Sequence, residues 1–251
     1  MNMTRNYDLE AKDHPEHRYA YDFDYRMHGY MMRTFSELLA EGPATLELGC
    51  FHGHFTRLLS ERFDDVEVVE ASQECIVEAR KAAPSAKFHH STFEQFEPER
   101  RYDNIFLIHT LEHLDERVQT LARIGSWLAP NGRLFLATPN AHAASRQIAV
   151  NMGLITHHAA VTPAEQAHGH RVTYSLDTLA ADVFAAGLRV RTRGGVFFKG
   201  LANFQIDAAL KANIITPQYL DGAYELGLVY PDLCSSIYCV CERPPEGGPV
   251  K

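Results

Sequence analysis

Ala44-Thr45-Leu46-Glu47-Leu48-Gly49-Cys50-Phe51-His52-Gly53 decides the fold, because a short apolar run ends in an acid and two glycines just before a helical pattern opens. Such a run is a buried strand feeding a turn into a helix. Glycine lets the backbone of that turn approach a ligand closely. An acid about 20 residues further on, at the tip of the next strand, accepts hydrogen bonds from ribose hydroxyls. Glu70 stands there, closing the run Val66-Glu67-Val68-Val69. The stretch predicts a nucleotide-binding turn. It lacks the glycine trio that seats a dinucleotide pyrophosphate on a helix N-terminus, which argues against a dehydrogenase.

Downstream, strand and helix patterns alternate. Helical periodicity covers Phe55 to Glu61, Gln73 to Ala82 and Arg117 to Leu128. Lys87-Phe88-His89-His90 and Tyr102 to His109 read as strands, and Leu128 to Asn140 reads as a helix end, a Pro130-Asn131-Gly132 turn and a fifth strand. The alternation predicts an α/β fold with a doubly wound, mostly parallel sheet and helices on both faces.

The order of Glu47, Gly49, Gly53 and Glu70 resembles the class I S-adenosylmethionine-dependent methyltransferases, as do the segment Lys87 to Glu94, the fourth strand and Thr110-Leu111-Glu112-His113-Leu114. The resemblance spans roughly Ala44 to Asn140. It implies a Rossmann-like seven-stranded sheet whose last strand is antiparallel, with Ser236 to Glu242 as the candidate for that strand. It also implies S-adenosyl-L-methionine as cofactor, held by Glu47, Gly49, Cys50, Phe51, Gly53, Glu70, Ala71, Thr92, Phe93 and His109. The family usually carries a middle glycine where this chain has Phe51, a residue that restricts the loop. Gly169-His170-Arg171, Ala202-Asn203-Phe204-Gln205 and Tyr230-Pro231-Asp232-Leu233-Cys234 resemble segments of uncharacterised bacterial methyltransferases, which identifies a group and no substrate.

Residues 1–39 form an aromatic-rich leader with Tyr19, Tyr21, Phe23, Tyr25 and Tyr30 and a helix expected from about Tyr25 into Leu39, an N-terminal lid by the same resemblance. Residues 40–251 are expected to be the catalytic domain, with a substrate cap inserted over 142–171 after the fifth strand. Ala143 to Met152 suits a helix. Ser175 is a good N-cap for another helix stopped by Gly187, and Leu188 to Arg193 suits a strand. Phe197 to Gln205, rich in amide and aromatic groups, reads as a loop that either binds a polar acceptor or serves as a structural corner.

Length and composition fit one globular domain with embellishments: 251 residues, 45% of them hydrophobic. A formal net charge of -8 disfavours a phosphate-tracking surface. Arg189, Arg191 and Arg193 alternate as on the solvent face of a strand. The five cysteines lack paired C-x-x-C spacing, which argues against a disulfide framework or a structural zinc site; Cys239 and Cys241 suit one core-facing side of a late strand. The expectation is a cytoplasmic enzyme with no membrane or nucleic-acid partner, its oligomeric state open, and a disordered tail over Pro244 to Pro249.

Methyl transfer asks the protein to hold the acceptor in line with the methyl group and, for a hydroxyl, to remove a proton. Histidine suits that second task. His109, at the carboxyl end of the fourth strand, is the first catalytic candidate. His168 and His170 follow, since i, i+2 spacing on an extended segment puts both rings on one face. His109-Thr110-Leu111-Glu112-His113 also resembles the E-x-x-E-H segment associated with a divalent metal in ubiquinone-biosynthesis O-methyltransferases, with histidine in place of the first glutamate. The same L-E-H occurs in metal-free relatives, and no metal is expected here, with Glu112 and His113 taken as structural. The expected reaction is methyl transfer to O or N of a small polar molecule such as a sugar, nucleotide-sugar or specialised metabolite. The alternatives are a cofactor-binding protein without turnover and a metal-assisted O-methyltransferase.

Overall fold

The computed structural model describes residues 5, 7–10 and 20–245. Tyr19, most of the leader before it, and the expected tail from Glu246 onward lie outside the described residues. A short helix α1 (Tyr7–Glu10) precedes α2 (Asp22–Phe35), and the sheet begins with β1 (Thr45–Leu48), α3 (His54–Ser60), β2 (Val66–Glu70), α4 (Gln73–Ala82) and β3 (Lys87–His90). It continues through β4 (Tyr102–Ile108), α5 (Arg117–Ser126) and β5 (Leu128–Pro139), after which α6 (Ala144–Asn151) and α7 (Pro163–Ala167) intervene. The chain closes with α8 (Leu176–Ala185), β6 (Arg189–Phe198), α9 (Asn203–Lys211), α10 (Pro217–Val229) and β7 (Cys234–Glu242).

The seven strands lie in the order β3-β2-β1-β4-β5-β7-β6. Pairing is parallel from β3 to β5, and β7 inserts antiparallel between β5 and β6, as the resemblance implied. Side chains alternate across the sheet. Ile105 and Leu107 of β4 join one core with Leu46, Leu134 and Leu179, while Phe106 and Ile108 join the other with Val68, Phe135 and Val240. The second core takes Phe23, Met27, Met31 and Phe35 of α2, whose Phe35 ring lies 5.2 Å from that of Phe135. The leader helix is therefore part of the core. Sheet growth reverses between β1 and β4, so a crevice opens beyond their carboxyl ends.

Several elements differ from expectation. Phe197 and Phe198 extend β6, because Phe198 still pairs with Cys234, and Asn203 begins α9; the supposed loop shrinks to four residues, Lys199 to Ala202. The Pro130-Asn131-Gly132 turn survives as an excursion within β5: Tyr102 pairs with Leu128 and Asn104 with Arg133, so the register skips the residues between. α10 is an element the sequence reading did not assign. Its start is capped by Thr216, which accepts a hydrogen bond from the Tyr219 N–H, with Pro217 at the first helical position. The three arginines of β6 do face solvent, where Arg189 and Arg191 pair with Glu242 and Arg193 with Asp177. Cys239 and Cys241 are fully buried. Among the described residues, no helix is long and apolar enough to cross a membrane.

Candidate active site

The loop after β1 owes its path to residues that only glycine, or strain, can satisfy. Gly49 has φ +78°, and a Cβ there would sit 2.7 Å from the Thr110 Oγ1 atom. Phe51 adopts φ +48° without being glycine, at a cost of about 1–2 kcal/mol, and stacks its ring 3.7 Å from that of His52. At Phe51 the backbone thus takes the left-handed conformation that glycine adopts without strain. Glu70, at the tip of β2, fastens the loop: its Oε2 accepts hydrogen bonds from the N–H groups of Cys50 (2.9 Å) and Phe51 (3.3 Å), and its Oε1 accepts from Ser72 (2.8 Å). Gly53 lies outside the cavity wall; a Cβ there would sit 2.6 Å from the Ala79 Cα, so its absence lets the start of α3 pack close against α4.

A cavity of about 740 Å³ lies over this loop, and Glu47, Gly49, Cys50, Phe51, Glu70, Ala71, Thr92, Phe93 and His109 all line it. Glu47 is 1% exposed, and its Oε2 has no hydrogen-bond partner. Burial, with the Glu70 carboxylate nearby, pushes its carboxyl up to about 8. A buried acid stripped of partners is costly unless a cationic group meets it. The close glycine backbone, the acid at the end of β2 and this orphaned carboxyl fit a ribose-bearing ligand that carries an ammonium.

His109 follows β4 in a left-handed conformation, φ +48°, with its N–H donating to the Ala137 carbonyl at 2.8 Å. Its Nε2 lies 2.9 Å from the Oγ of buried Ser236 on β7, which fixes the ring. Burial lowers its pKa to about 4, helped by the nearby charges of His170 and Lys199, so the ring is neutral near neutral pH.

The cap histidines are arranged otherwise than expected. His168 ends α7, and Gly169 turns the chain at φ +86°, so the two rings do not share a face of an extended segment. Both still line the cavity. The His170 ring stands edge-on to His113 at 4.5 Å between centroids, and burial lowers its pKa to about 4. Glu112, read from sequence as structural, is 1% exposed with both carboxylate oxygens unpartnered, and burial pushes it up to about 8. It lines the cavity with His113.

Sequence reasoning missed a further group that tertiary packing assembles. Lys199, following β6, donates to the Asn203 side chain, whose Nδ2 donates to Asp24 of α2 at 2.6 Å. Burial lowers Lys199 to about 8, against the attraction of Asp24. Arg146 of α6 pairs with Glu165 of α7 at 2.8 Å. From the leader, Arg5 holds Glu10 and donates to the His113 carbonyl at 2.7 Å, while the Asp8 carboxylate accepts from Ser72 Oγ at 2.5 Å. Only the wealth of polar side chains in these stretches hinted at such a wall.

A methyltransferase-domain family matches residues 23–193 of this chain. The trans-aconitate 2-methyltransferase of Escherichia coli (strain 55989 / EAEC) is 30% identical over 125 residues, which cover 45% of this chain and 50% of that protein. The chain thus spans about half the length of the curated relatives it matches. Of solved structures, the CcbJ methyltransferase from Streptomyces caelestis superposes with a TM-score of 0.62 at 14% identity, covering 96% of this chain and 100% of that one. The N-methyltransferase NodS from Bradyrhizobium japonicum WM9, in complex with S-adenosyl-L-homocysteine, gives 0.56 at 14% identity over 89% of each chain. At such identities these likenesses concern the fold.

Proposed function

Because the chain belongs to the class I S-adenosylmethionine-dependent methyltransferases, its matched domain running over residues 23–193, we propose that it transfers a methyl group from S-adenosyl-L-methionine to oxygen or nitrogen of a small polar acceptor. A sugar, a nucleotide-sugar or a specialised metabolite fits that description. The observation that carries the reading is a single cavity lined both by the Gly49 loop with Glu47 and Glu70 and by His109, His168 and His170. The bound donor supplies an electrophilic methyl group, so the protein contributes mainly position.

Glu70 would accept from the ribose hydroxyls through the lone pairs left by its bonds to the loop, and Glu47 would meet the ammonium. Thr92 and Phe93, beyond β3, flank the space for the base. His109, neutral and held by Ser236, would orient an acceptor hydroxyl or amine and take its proton as the methyl group moves. The charges lining the cavity beside these histidines are partnered within the protein, Arg146 by Glu165 and Lys199 by the Asn203 amide, which favours a polar acceptor.

In this reading the leader covers the cavity through Tyr21, Asp24 and Tyr25, while the apolar face of α2 stays in the core, and 142–171 act as a cap through Ser145, Arg146 and His168, which also line the cavity. The experiment is transfer of a labelled methyl group from S-adenosyl-L-methionine to a panel of sugars, nucleotide-sugars, amines and carboxylates. Labelled product from one class, lost in His109→Ala, supports the proposal. Tight donor binding with no transfer to any class would favour a binding protein without turnover.

A further inference from the structure

The cavity holds a carboxylate that satisfies nothing. Both oxygens of Glu112 are buried without a hydrogen bond, a state that is costly for the ionised group unless a proton or a cation offsets its charge. Two imidazoles stand against it. We infer that Glu112, His113 and His170 bind a divalent first-row transition metal on the acceptor side of the cavity, one ligand atom from each lying within 4.8 Å of the others.

The backbone around these three side chains is already stitched together. The Glu112 carbonyl accepts from the Arg171 N–H at 2.8 Å, which docks the segment carrying His170 onto the turn after β4, and the His113 carbonyl accepts from Arg5. Bonds of about 2.0–2.2 Å to zinc require the ligand atoms to close somewhat further, which rotation of the side chains allows. Two nitrogens and one carboxylate suit Zn²⁺, Co²⁺ or Fe²⁺, whereas Mg²⁺ and Ca²⁺ favour all-oxygen shells. His109 is outside the set, because Ser236 on β7 engages its Nε2. The set therefore differs from a grouping of His109 with Glu112 and His113, and its third member comes from the cap.

Three protein ligands leave a coordination position open toward the cavity. An acceptor hydroxyl placed there is more acidic. Its proton passes to the His109 imidazole, its oxygen forms the new bond to the methyl carbon, and the electron pair of the broken sulfur–carbon bond returns to sulfur as a neutral thioether. Only this role rests on the proposed function; metal binding does not.

The test titrates the metal-stripped protein with Co²⁺ and follows its visible ligand-field bands, with S-adenosyl-L-homocysteine affinity measured calorimetrically in parallel. Expected are one tight equivalent of Co²⁺, displacement by Zn²⁺, and affinity weakened more than about 100-fold in both Glu112→Gln and His170→Ala, beyond what loss of an outer-shell partner costs. His109→Ala should bind Co²⁺ as the native chain does. Retained nucleoside binding in each variant certifies the fold and separates failure of this inference from failure of the methyl-transfer reading. No ligand-field band, or Co²⁺ bound equally well by His170→Ala, overturns the assignment; the partner of Glu112 would then be a cationic group of the acceptor.

Discussion

Replacing Glu47 by glutamine should stabilise the ligand-free protein while weakening its hold on the donor. The side chain is 1% exposed, its Oε2 lacks a partner, and burial raises the carboxyl from 4.5 to about 8. Between those two values the folded chain keeps a proton that the unfolded chain has released. Stability therefore falls as pH rises through that window, by about 1.4 kcal/mol per pH unit. At pH 7 the accumulated loss is about 3 kcal/mol, of which an unpartnered amide in the same place gives back about 1–2. The net expectation is a glutamine variant more stable by about 1–2 kcal/mol at pH 7, with the gain gone between about pH 5 and pH 6. Urea unfolding of both proteins at pH 5 and pH 7.5 measures this. Calorimetry with S-adenosyl-L-homocysteine should meanwhile show a loss of about 1.5–3 kcal/mol, that of a charge-assisted hydrogen bond. A variant equally stable at both pH values, with native affinity, would refute both the orphaned acid and its role.

Other perturbations address the remaining parts. Glu70→Ala frees the Cys50 and Phe51 N–H groups as well as the ribose contact, and should weaken donor binding by about 1–3 kcal/mol in the same calorimetric assay; unchanged affinity would remove Glu70 from the site. His109→Ala should depress turnover far more than donor affinity, and equal loss of both would make the residue structural. His28 and His109 sit at about 3 and about 4, below the ordinary 6.5, so the unfolded chain takes up protons first as pH drops. The two rings' contribution to native stability should then decline between pH 6.5 and pH 4, opposite in slope to that of Glu47 and Glu112. The readout is therefore the stability difference between the native protein and His109→Asn by thermal melting; a difference that stays constant across that range would contradict the burial of the ring.

What the sequence made legible was whatever local backbone chemistry dictates. Gly49 and Gly53 mark left-handed positions, Ser175 and Gly187 bracket a helix, and the alternation of Ile237, Cys239 and Cys241 marks a strand with a buried face. The antiparallel insertion of β7 came from family resemblance, since no residue of β7 announces its direction. α10 went unread although Thr216-Pro217 signals a start, because Leu226, Leu228 and Val229 stay exposed and blur the apolar stripe. The site was harder still. Asp24 and Asn203 meet across a separation of 179 residues, and Gly169 converts an apparently extended His168-Gly169-His170 into a turn. Glu112 reads the same whether its carboxylate is paired or orphaned; only its burial in the folded chain decides which.

The central claim is that the Gly49 loop, Glu47 and Glu70 hold S-adenosyl-L-methionine. Calorimetric titration of the purified, metal-depleted protein with S-adenosyl-L-methionine, S-adenosyl-L-homocysteine and NAD tests it most directly. The account predicts micromolar binding of the two sulfur nucleosides and none of NAD. Absence of sulfur-nucleoside binding would contradict it and make Phe51, at its strained position in the loop, a disabling residue.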